Sequence, residues 1–335
     1  MTPKEQRMQE PTPRTAKDEF AAETERFRRE LLAHCYRMAG SAHEAEDLVQ
    51  ETYLRAWRSY AGFEGRASVR SWLYAIATNV CLTALASRRT RVLPSGLREP
   101  YDGPGRPPSQ AGPGEVSWLE PLPDRWIADD DPAAAVVARE SLRLALVVSL
   151  QHLPPRQRAI LILRDVLAFT APETARILDT TTTAVKSGLQ RARARLEELG
   201  PEPERPLEPS DPRARALLED YMAAFERADA RLLEQVLRKD ATLEATPFRD
   251  WYAGREKCIR LLENSVLGKR GDWRMIPTTA NGQSAAAVYH RDTTGVFGAH
   301  GIVVLTPTAT GVARVVEFHD PALVETFGFP PERRD

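Results

Sequence analysis

The apolar residues near the N-terminus recur at the spacing of an α-helix. A first stripe, at intervals of seven, four, four and three residues, consists of Phe20, Phe27, Leu31, Cys35 and Met38. These intervals predict one amphipathic helix, which Gly40 ends because glycine tolerates the left-handed conformation common after a helix. Ser41 and Glu44 have the pattern of a capping box, which begins a second helix. A third helix begins near Ser68, so the sequence predicts an all-helical N-terminal unit.

The second and third predicted helices each have one apolar face. The face of the second helix comprises Ala45, Leu48, Val49, Thr52, Ala56 and Trp57. The face of the third comprises Val69, Trp72, Leu73, Ile76 and Val80. We expect both faces to be buried, because most helices in proteins are stabilised by the packing of such a face.

The middle of the chain repeats the helical pattern and adds a tight turn. Pro155 begins one predicted helix, at a position where its missing N–H costs nothing. A capping box from Thr170 to Glu173 begins a short helix that stops near Asp179. The final helix follows Thr180–Thr183 and buries Val185, Leu189, Ala192 and Leu196. Two helices joined by a tight turn, the second longer and basic, predict a helix-turn-helix.

Strand patterns dominate the C-terminal third of the chain. After two further helical stripes, short β-rich segments occupy residues 241–245, 285–289, 301–305 and 312–317. Asn281-Gly282 and Thr310-Gly311 are turn signals between them. The predicted fold class is therefore multi-domain, with two all-α helical domains followed by an α+β domain.

Two proline-rich segments divide the chain. Residues 92–132 contain nine Pro and five Gly, and residues 200–212 contain five Pro. Neither has helical or strand periodicity, so both are predicted to be linkers. The predicted domains are thus 15–91, 133–199 and 213–335.

Composition excludes several classes of protein. The 46 Lys+Arg nearly balance the 47 Asp+Glu, so a nucleic-acid site must depend on local charge. No apolar run has the length of a membrane span, and the charged N-terminus does not resemble a signal peptide. The three cysteines form no C-x-x-C pair, which argues against a disulfide framework and a zinc site. We expect a cytoplasmic protein without metal or cofactor.

The last helix of the middle block has a polar, basic face. Lys186, Gln190 and Arg193 lie opposite its apolar stripe, where their side chains suit base edges and phosphates in a major groove. The alternative is an ordinary solvated helix face. We predict that the DNA-binding residues of this helix are Thr182, Thr183, Lys186, Ser187, Gln190, Arg191 and Arg193.

The third N-terminal helix and its preceding loop carry a second basic signal. Between Gly65 and Arg91 the chain has five Arg and no acid, with aromatic residues among them. Arginines interleaved with aromatics suit unpaired nucleic acid, and the loop from Gly62 to Arg66 suits a flipped base. The candidate residues are Phe63, Arg66, Arg70, Asn79, Arg88 and Arg89.

The second helix has the opposite charge. Asp47, Gln50 and Glu51 are spaced i, i+3 and i+4, so they share one exposed face. On composition alone an ordinary solvated face is a better interpretation than a site for a basic protein partner.

Several of these segments resemble the extracytoplasmic-function sigma factors of bacterial RNA polymerase. Residues 45–57 (AEDLVQETYLRAW) and 71–79 (SWLYAIATN) are similar to region two of that family. Residues 153–158 (LPPRQR), 163–166 (LRDV) and 184–193 (AVKSGLQRAR) are similar to region four. The resemblance extends over about residues 20–91 and 133–199.

The resemblance implies a dissociable subunit that gives core RNA polymerase its promoter specificity. It implies that Asp47, Gln50 and Glu51 contact the clamp helices of the largest subunit, and that region four contacts the flap of the second-largest. It also implies that residues 62–68 capture a flipped base of the proximal promoter element. The final helix of region four then reads the distal element.

The chain continues well beyond region four, and this extension resembles the SnoaL-like, cone-shaped α+β domain of some sigma subfamilies. The similar segments are residues 251–255 (WYAGR), 318–321 (FHDP), 327–330 (FGFP) and, in the first linker, 116–121 (VSWLEP). Because the second linker is short, the extension stays close to region four and we expect it to regulate the protein. Trp251, Tyr252 and Arg255 are candidates for its docking or ligand surface.

A small ligand and catalysis in this extension are separate questions. A possible ligand pocket is lined by Phe248, Trp251, Tyr252, Trp273 and Tyr289, although the same aromatics could be core. Candidate general bases are Glu244, Asp292, His290, His300 and His319, but none belongs to a recognisable dyad. We therefore expect no enzymatic activity.

Two further hypotheses remain open. A plain helix-turn-helix repressor or activator would bind DNA without polymerase, but it has no need of the acidic face. A bifunctional protein would combine a sigma factor with an active SnoaL-like enzyme. The first linker has a net charge of −5, from three basic and eight acidic residues, and we expect it to thread the basic nucleic-acid channel of polymerase.

Overall fold

The computed structural model describes residues 13–103, 108–127, 140–198 and 206–334. The N-terminal unit is helical. It contains α1 (Pro13–Thr24), α2 (Arg28–Ala39), α3 (Ala42–Tyr60) and α4 (Val69–Leu85). The predicted positions of Gly40 and of the helix starts after Ser41 and Ser68 are confirmed. Gly40 has a φ of 74°, and each serine hydroxyl accepts a hydrogen bond from the backbone N–H three residues later.

The continuity of the first helix and the burial of Trp57 were predicted wrongly. The single first helix is interrupted by a 3₁₀ turn, Glu25–Phe27, where the Thr24 hydroxyl donates to the carbonyl of Phe20 at 2.7 Å. A side-chain bond of this kind competes with the helical ladder and bends it. Trp57 is 40% exposed rather than buried, because it lies one residue beyond Ala56, about 100° further around the helix.

The middle unit contains the predicted helix-turn-helix. Its helices are α5 (Leu144–Gln151), α6 (Pro155–Leu161), α7 (Ala171–Ile177) and α8 (Thr182–Glu197). Thr170 and Glu173 form a complete capping box at the start of α7. Gly188 in α8 is explained by close packing, since a Cβ at this position would lie 2.5 Å from Cδ1 of Ile160 in α6.

The C-terminal domain is α+β, as predicted. Its helices are α9 (Pro212–Arg227), α10 (Ala230–Val236), α11 (Arg255–Ser265) and α12 (Pro321–Thr326). Its strands are β1 (Leu237–Thr246), β2 (Trp251–Ala253), β3 (Trp273–Ala280), β4 (Gln283–Arg291), β5 (Phe297–Thr308), β6 (Gly311–Phe318) and β7 (Glu332–Arg333). The sheet order is β2-β1-β6-β5-β4-β3, with β7 beside β5 and with β1 and β6 parallel. The domain thus has a single mixed sheet, in which only the pairing of β1 with β6 is parallel among the described strands.

The sheet is buried on both faces. Successive strand residues point to opposite faces, and in β4 Ala285 and Ala287 belong to a core shared with the two helical units. Their neighbours Ala286 and Val288 belong to a second core under α9, α10 and α11. The C-terminal domain therefore shares a hydrophobic core with the helical units and is not connected to them by the linkers alone.

The described parts of the first linker are also packed. Val92 pairs with Trp118, Gln110 with Phe248, and Pro123 with Ala280 in isolated β-bridges. The linker thus runs between the N-terminal unit and the C-terminal sheet in this arrangement of the chain. No helix in the described ranges is long and apolar enough to span a bilayer.

Candidate functional site

The recognition helix α8 exposes its predicted DNA-binding face. Thr181 caps the helix by accepting a hydrogen bond from the N–H of Ala184 at 3.1 Å. The exposed residues of this face are Thr182, Thr183, Lys186, Ser187, Gln190, Arg191 and Arg193. Arg193 differs from the others because its guanidinium donates twice to the carboxylate of Asp165, at 2.7 and 2.8 Å.

The loop before α4 holds an aromatic pair. The rings of Phe63 and Trp72 lie 4.7 Å apart, centre to centre, and are tilted by 32°; this separation is within the range over which aromatic side chains interact. Both side chains are half-buried, while Asn79 on α4 is exposed. Arg66 is exposed and ion-paired with Glu64. A half-exposed aromatic platform beside a cation can stack an unpaired base.

Arg70 is committed to contacts within the protein. It donates to the carboxylate of Glu30 at 2.9 Å, and its guanidinium lies 5.0 Å from the ring centre of Tyr74 and 4.8 Å from that of Phe169. Phe169 belongs to the middle unit. This candidate DNA contact therefore holds the two helical units together in the described arrangement.

The basic segment after α4 is engaged with acids. Arg88 and Arg91 both pair with the buried carboxylate of Glu44. Because Glu44 has these partners, its side chain does not complete the predicted capping box at Ser41. Arg89 donates to the backbone carbonyl of Glu115 at 2.8 Å, so this segment is tied to the linker.

The acidic face of α3 is accessible. Asp47 and Gln50 are exposed, and Glu51 accepts a hydrogen bond from Arg55 at 2.6 Å. Leu54 is 51% exposed and lies seven residues after Asp47, on the same helical face. Sequence reasoning missed Leu54, although its spacing from Asp47 would have identified it.

The C-terminal domain reaches the first turn of this same face. His43 precedes Asp47 by four residues, so the two share a side of α3. The Nε2 of His43 lies 3.1 Å from the hydroxyl of Thr326 in α12, and its Nδ1 lies 3.2 Å from a carboxylate oxygen of Glu120 in the linker. His43, at one end of the acidic face, is thus contacted by α12 and the linker.

The turn between β3 and β4 is inserted at the junction of all three units. The side-chain amide of Asn281 donates to the hydroxyl of Tyr36 in α2 at 2.8 Å and to the carbonyl of Leu142 at 2.7 Å. Its oxygen accepts from the N–H of Leu122 in the linker at 2.9 Å. Asn281 is fully buried, and both its NH₂ hydrogens and its oxygen are used.

The neighbours of Asn281 extend this contact. The N–H of Gly282 donates to Asp124 at 2.8 Å, and the side-chain oxygen of Gln283 accepts from the N–H of Leu144 at 2.9 Å. Leu144 is the first residue of α5, whose amide has no partner within its own helix. The turn signal Asn281-Gly282 was predicted, but its docking partners were not, since they lie 139 to 245 residues away.

Buried cations connect the two helical units directly. Arg37 in α2 donates to the hydroxyl of Ser141 at 2.6 Å, and Arg158 in α6 donates to Gln151 at 2.6 Å and to the carbonyl of Met38. Burial lowers the pKa of both guanidinium groups to about 10. These contacts need the units in their present arrangement.

The candidate tail residues lie against the linker. The indole N–H of Trp251 donates to the carbonyl of Arg98 at 2.7 Å, and Tyr252 packs edge-on against Tyr101 with ring centres 5.9 Å apart. Arg255 instead donates to carbonyls of its own domain, those of Glu234 and Leu237. Two of the three predicted residues thus contact another part of the chain.

The five aromatics of the predicted ligand pocket do not surround one cavity. Trp273 alone among them lines the described cleft at the sheet, whose free volume of about 10 Å³ is that of one water molecule at most. Tyr289 is buried and donates to the carbonyl of Pro330. These rings pack as core and as linker contacts, which favours the alternative that they are structural.

Sequence reasoning named His300 and His319 but missed Glu317 and Tyr221, which form a polar cluster with His319 around that cleft. The carboxylate of Glu317 accepts from the hydroxyl of Tyr221 at 3.1 Å and lies 2.9 Å from Nε2 of His319. Burial raises the pKa of Glu317, but its hydrogen bond with His319 and the nearby histidine charges outweigh burial and leave this pKa below its usual value. Burial lowers the pKa of His300 to about 4. In the described ranges no group of acidic, His or Cys residues has a metal-binding arrangement.

Comparison with known proteins gives matches over nearly the whole chain. The family model described as Sigma-70 region 2 matches residues 24–91, and that described as Sigma-70, region 4 matches residues 143–196. The chain is 49% identical over 318 residues to the ECF RNA polymerase sigma factor SigG of Mycobacterium tuberculosis strain H37Rv, covering 93% of this chain and 84% of that one.

A second relative from the same organism is the ECF RNA polymerase sigma factor SigJ, 31% identical over 221 residues, covering 66% of this chain and 63% of that one. The crystal structure of Mycobacterium tuberculosis SigJ superposes with a TM-score of 0.59 at 24% identity, covering 93% of this chain and 99% of that one. This similarity supports the fold described above, including the C-terminal domain.

Proposed function

This chain belongs to the ECF RNA polymerase sigma factors, and we propose that its C-terminal domain keeps it closed until polymerase and promoter DNA bind. It is an alternative sigma factor, which acts with core RNA polymerase and promoter DNA in transcription initiation. The proposal concerns how the third domain controls that activity. Asn281 is the observation that carries it, because one buried amide bonds to region two, the linker and region four.

Region two and region four are packed face to face. The rings of Tyr74 in α4 and Phe169 before α7 lie 5.2 Å apart, and Arg70 lies over Phe169. The two promoter elements lie at separate positions along the DNA. Region two and region four, which share a hydrophobic core here, must therefore separate before both promoter elements can be bound.

The same packing occupies candidate DNA contacts. Arg70 pairs with Glu30, while Arg88 pairs with Glu44. Bonds made inside the closed protein compete with phosphate contacts for the same guanidinium groups. We propose that promoter binding requires these side chains to be released.

The linker is held by the C-terminal domain in this closed state. The buried carboxylate of Asp250 accepts from Arg98 at 3.0 Å and from the hydroxyl of Ser109 at 2.8 Å. The carboxylate of Glu244 accepts from the N–H of Ser95 at 2.8 Å. A linker that threads the polymerase channel must first leave these partners.

Polymerase itself is the proposed trigger for opening. Asp47, Gln50 and Glu51 are accessible in the closed protein, but Thr326 contacts His43 at one end of their face. A clamp that binds this face fully would displace α12. We propose that the domain acts through these contacts rather than by catalysis, since its described cleft has room for little more than water.

Asn281→Gly tests the proposal. Asn281 has a φ of 57°, so glycine keeps the turn while all three side-chain hydrogen bonds are lost. Each buried group left unpaired costs about 1–3 kcal/mol, which shifts the chain toward an open form. Purified core polymerase should then bind the variant more tightly than wild type, with a higher run-off transcript yield.

Asn264→Ala is the matched control, because Asn264 is exposed on α11 of the same domain. It should behave as wild type in both assays. Equal core affinity and equal transcript yield for Asn281→Gly and wild type, with Asn281→Gly folded, would show that the turn does not regulate the protein.

A further inference from the structure

A basic cavity lies where region two, the linker and region four meet. Its free volume is about 130 Å³, which is room for several water molecules. Arg88 and Arg89 line it from region two, Ser117 from the linker, and Gln151 and Arg158 from region four. The cavity therefore exists only while the two regions are packed together.

The charges around the cavity are unbalanced. The guanidinium groups of Arg88, Arg89, Arg91 and Arg158 line it together with a single carboxylate, that of Glu44. Arg88 and Arg91 already pair with Glu44. Arg91 also pairs with Glu120 outside the lining, so the excess positive charge lies on Arg89 and Arg158.

Arg89 is one of two lining cations without a carboxylate partner among the described residues. It donates to the backbone carbonyl of Glu115, while the carboxylate of Glu115 pairs with Arg249. Its side chain is exposed. Arg89 is thus able to turn toward an anion by giving up one hydrogen bond to a carbonyl and a weaker electrostatic interaction with the carboxylate of Glu115.

Arg158 is the second lining cation without a carboxylate partner among the described residues, and it is buried. It is 3% exposed and donates to neutral oxygens of Met38, Gln151 and Leu153 at the ends of α2 and α5. Carbonyls at a helix C-terminus compensate a cation only partly. Its Nε is a buried donor with no partner in the described part of the chain. A buried charge without a counter-ion is costly, so an anion in the cavity would stabilise this site.

We propose that this cavity binds a small phosphate-bearing anion, such as pyrophosphate or the phosphate groups of a nucleotide, and that the anion stabilises the closed protein. Arginine is the side chain best suited to phosphate oxygens, because its planar donors match their geometry. The volume is below the roughly 300 Å³ at which pockets for larger organic ligands begin. A cavity of this volume is also far too small for a DNA duplex, whose major groove alone is about 12 Å wide.

This proposal rests on the closed arrangement proposed above, because the walls of the cavity come from both region two and region four. An anion bound there would contact Arg88 and Arg89, which are candidates for DNA phosphate contacts. It would therefore compete with promoter DNA for the same cations while holding the two regions together.

Calorimetric titration of the full-length protein with inorganic pyrophosphate, at constant ionic strength, tests the proposal. Wild type should bind one equivalent saturably, and Arg89→Ala should weaken the binding at least about fivefold, the loss of one charge-assisted hydrogen bond. Arg260→Ala removes an exposed arginine on α11 and should leave the affinity unchanged. Absence of saturable binding by wild type, or equal weakening by both substitutions, would overturn the proposal.

Asn281→Gly separates this proposal from that of the closed state. If the variant opens, as judged by small-angle scattering, it should also lose pyrophosphate affinity. Unchanged affinity in an opened variant would overturn the position of the site between the two regions. If the variant stays closed, the regulatory proposal fails, while the comparison of Arg89→Ala with Arg260→Ala still decides whether the anion site exists.

Discussion

The side-chain amide of Asn281 and the hydroxyl of Tyr36 lie 2.8 Å apart, although 245 residues separate them in the chain. Tyr36 also contacts the linker, since its hydroxyl donates to the backbone carbonyl of Glu120 at 2.8 Å. Both residues are fully buried. A sheet turn, a region-two helix and the linker are thereby joined in one hydrogen-bonded chain.

The acidic face of α3 gives the first prediction. Changing Asp47 and Glu51 together to Arg should abolish binding to core polymerase, because like charge then faces a basic partner. The fold should survive, as both side chains lie on the surface. Circular dichroism checks the fold, and a pull-down at moderate salt measures the binding.

Glu256→Arg with Glu263→Arg is the matched control, since both residues are exposed on α11 and carry the same charge change. That protein should bind core polymerase like wild type. Wild-type binding by the α3 double variant would mean that polymerase contacts another surface.

Recognition of the distal element gives the second prediction. Lys186→Ala removes an exposed cation of α8, and if Lys186 contacts a base, discrimination at one position should fall by about 1–3 kcal/mol. Arg193 should contribute less, because Asp165 already holds its guanidinium in two hydrogen bonds.

Asp165→Asn weakens that pair, and we expect it to strengthen DNA binding through Arg193. Affinities for the wild-type element and for single-base variants measure both effects. A uniform loss on all sequences would assign Lys186 to the phosphate backbone, and no loss would mean that another helix reads the element.

The third prediction concerns acid stability. His34 is fully buried, 3.1 Å from the hydroxyl of Thr78, and burial, aided by the nearby charge of Arg37, lowers its pKa to about 3. Between pH 6.5 and pH 3, the unfolded chain, with a histidine pKa near 6.5, therefore binds a proton at this residue that the folded chain does not bind. Stability is full above pH 6.5 and falls as the pH is lowered from there toward 3.

At pH 5 this single group should cost about 2 kcal/mol. Urea unfolding at pH 7 and pH 5 measures the loss for wild type and for His34→Gln, which has no titrating group at this position. The variant should lose less stability between the two pH values. An equal loss would mean that His34 does not titrate as its burial implies.

The elements of the fold were largely predictable because their signals are local. The complete capping box at Thr170 and the left-handed Gly40 depend on neighbouring residues, and both were found. The break at Glu25–Phe27 was not predicted, because it depends on the side-chain hydrogen bond of Thr24. Trp57 was assigned to the buried face although it lies about 100° around the helix from Ala56.

The arrangement of the units was not predictable, because the contacts that fix it join residues far apart in the chain. The packed linker, the docked Asn281 turn and the cluster at Glu317 all depend on residues distant in the chain. The candidate DNA and polymerase residues were identified through motif spacing, and their roles remain predictions. Their present partners, such as Glu44 for Arg88, were visible only in the fold.

A distance measurement between region two and region four tests the central claim most directly. The native cysteines are buried, so cysteines placed at the exposed positions Ser59 and Glu197 can be labelled selectively and measured by single-molecule energy transfer. We expect one short distance in the free protein and a longer one with Asn281→Gly or with core polymerase. The same distance in all three samples would contradict it.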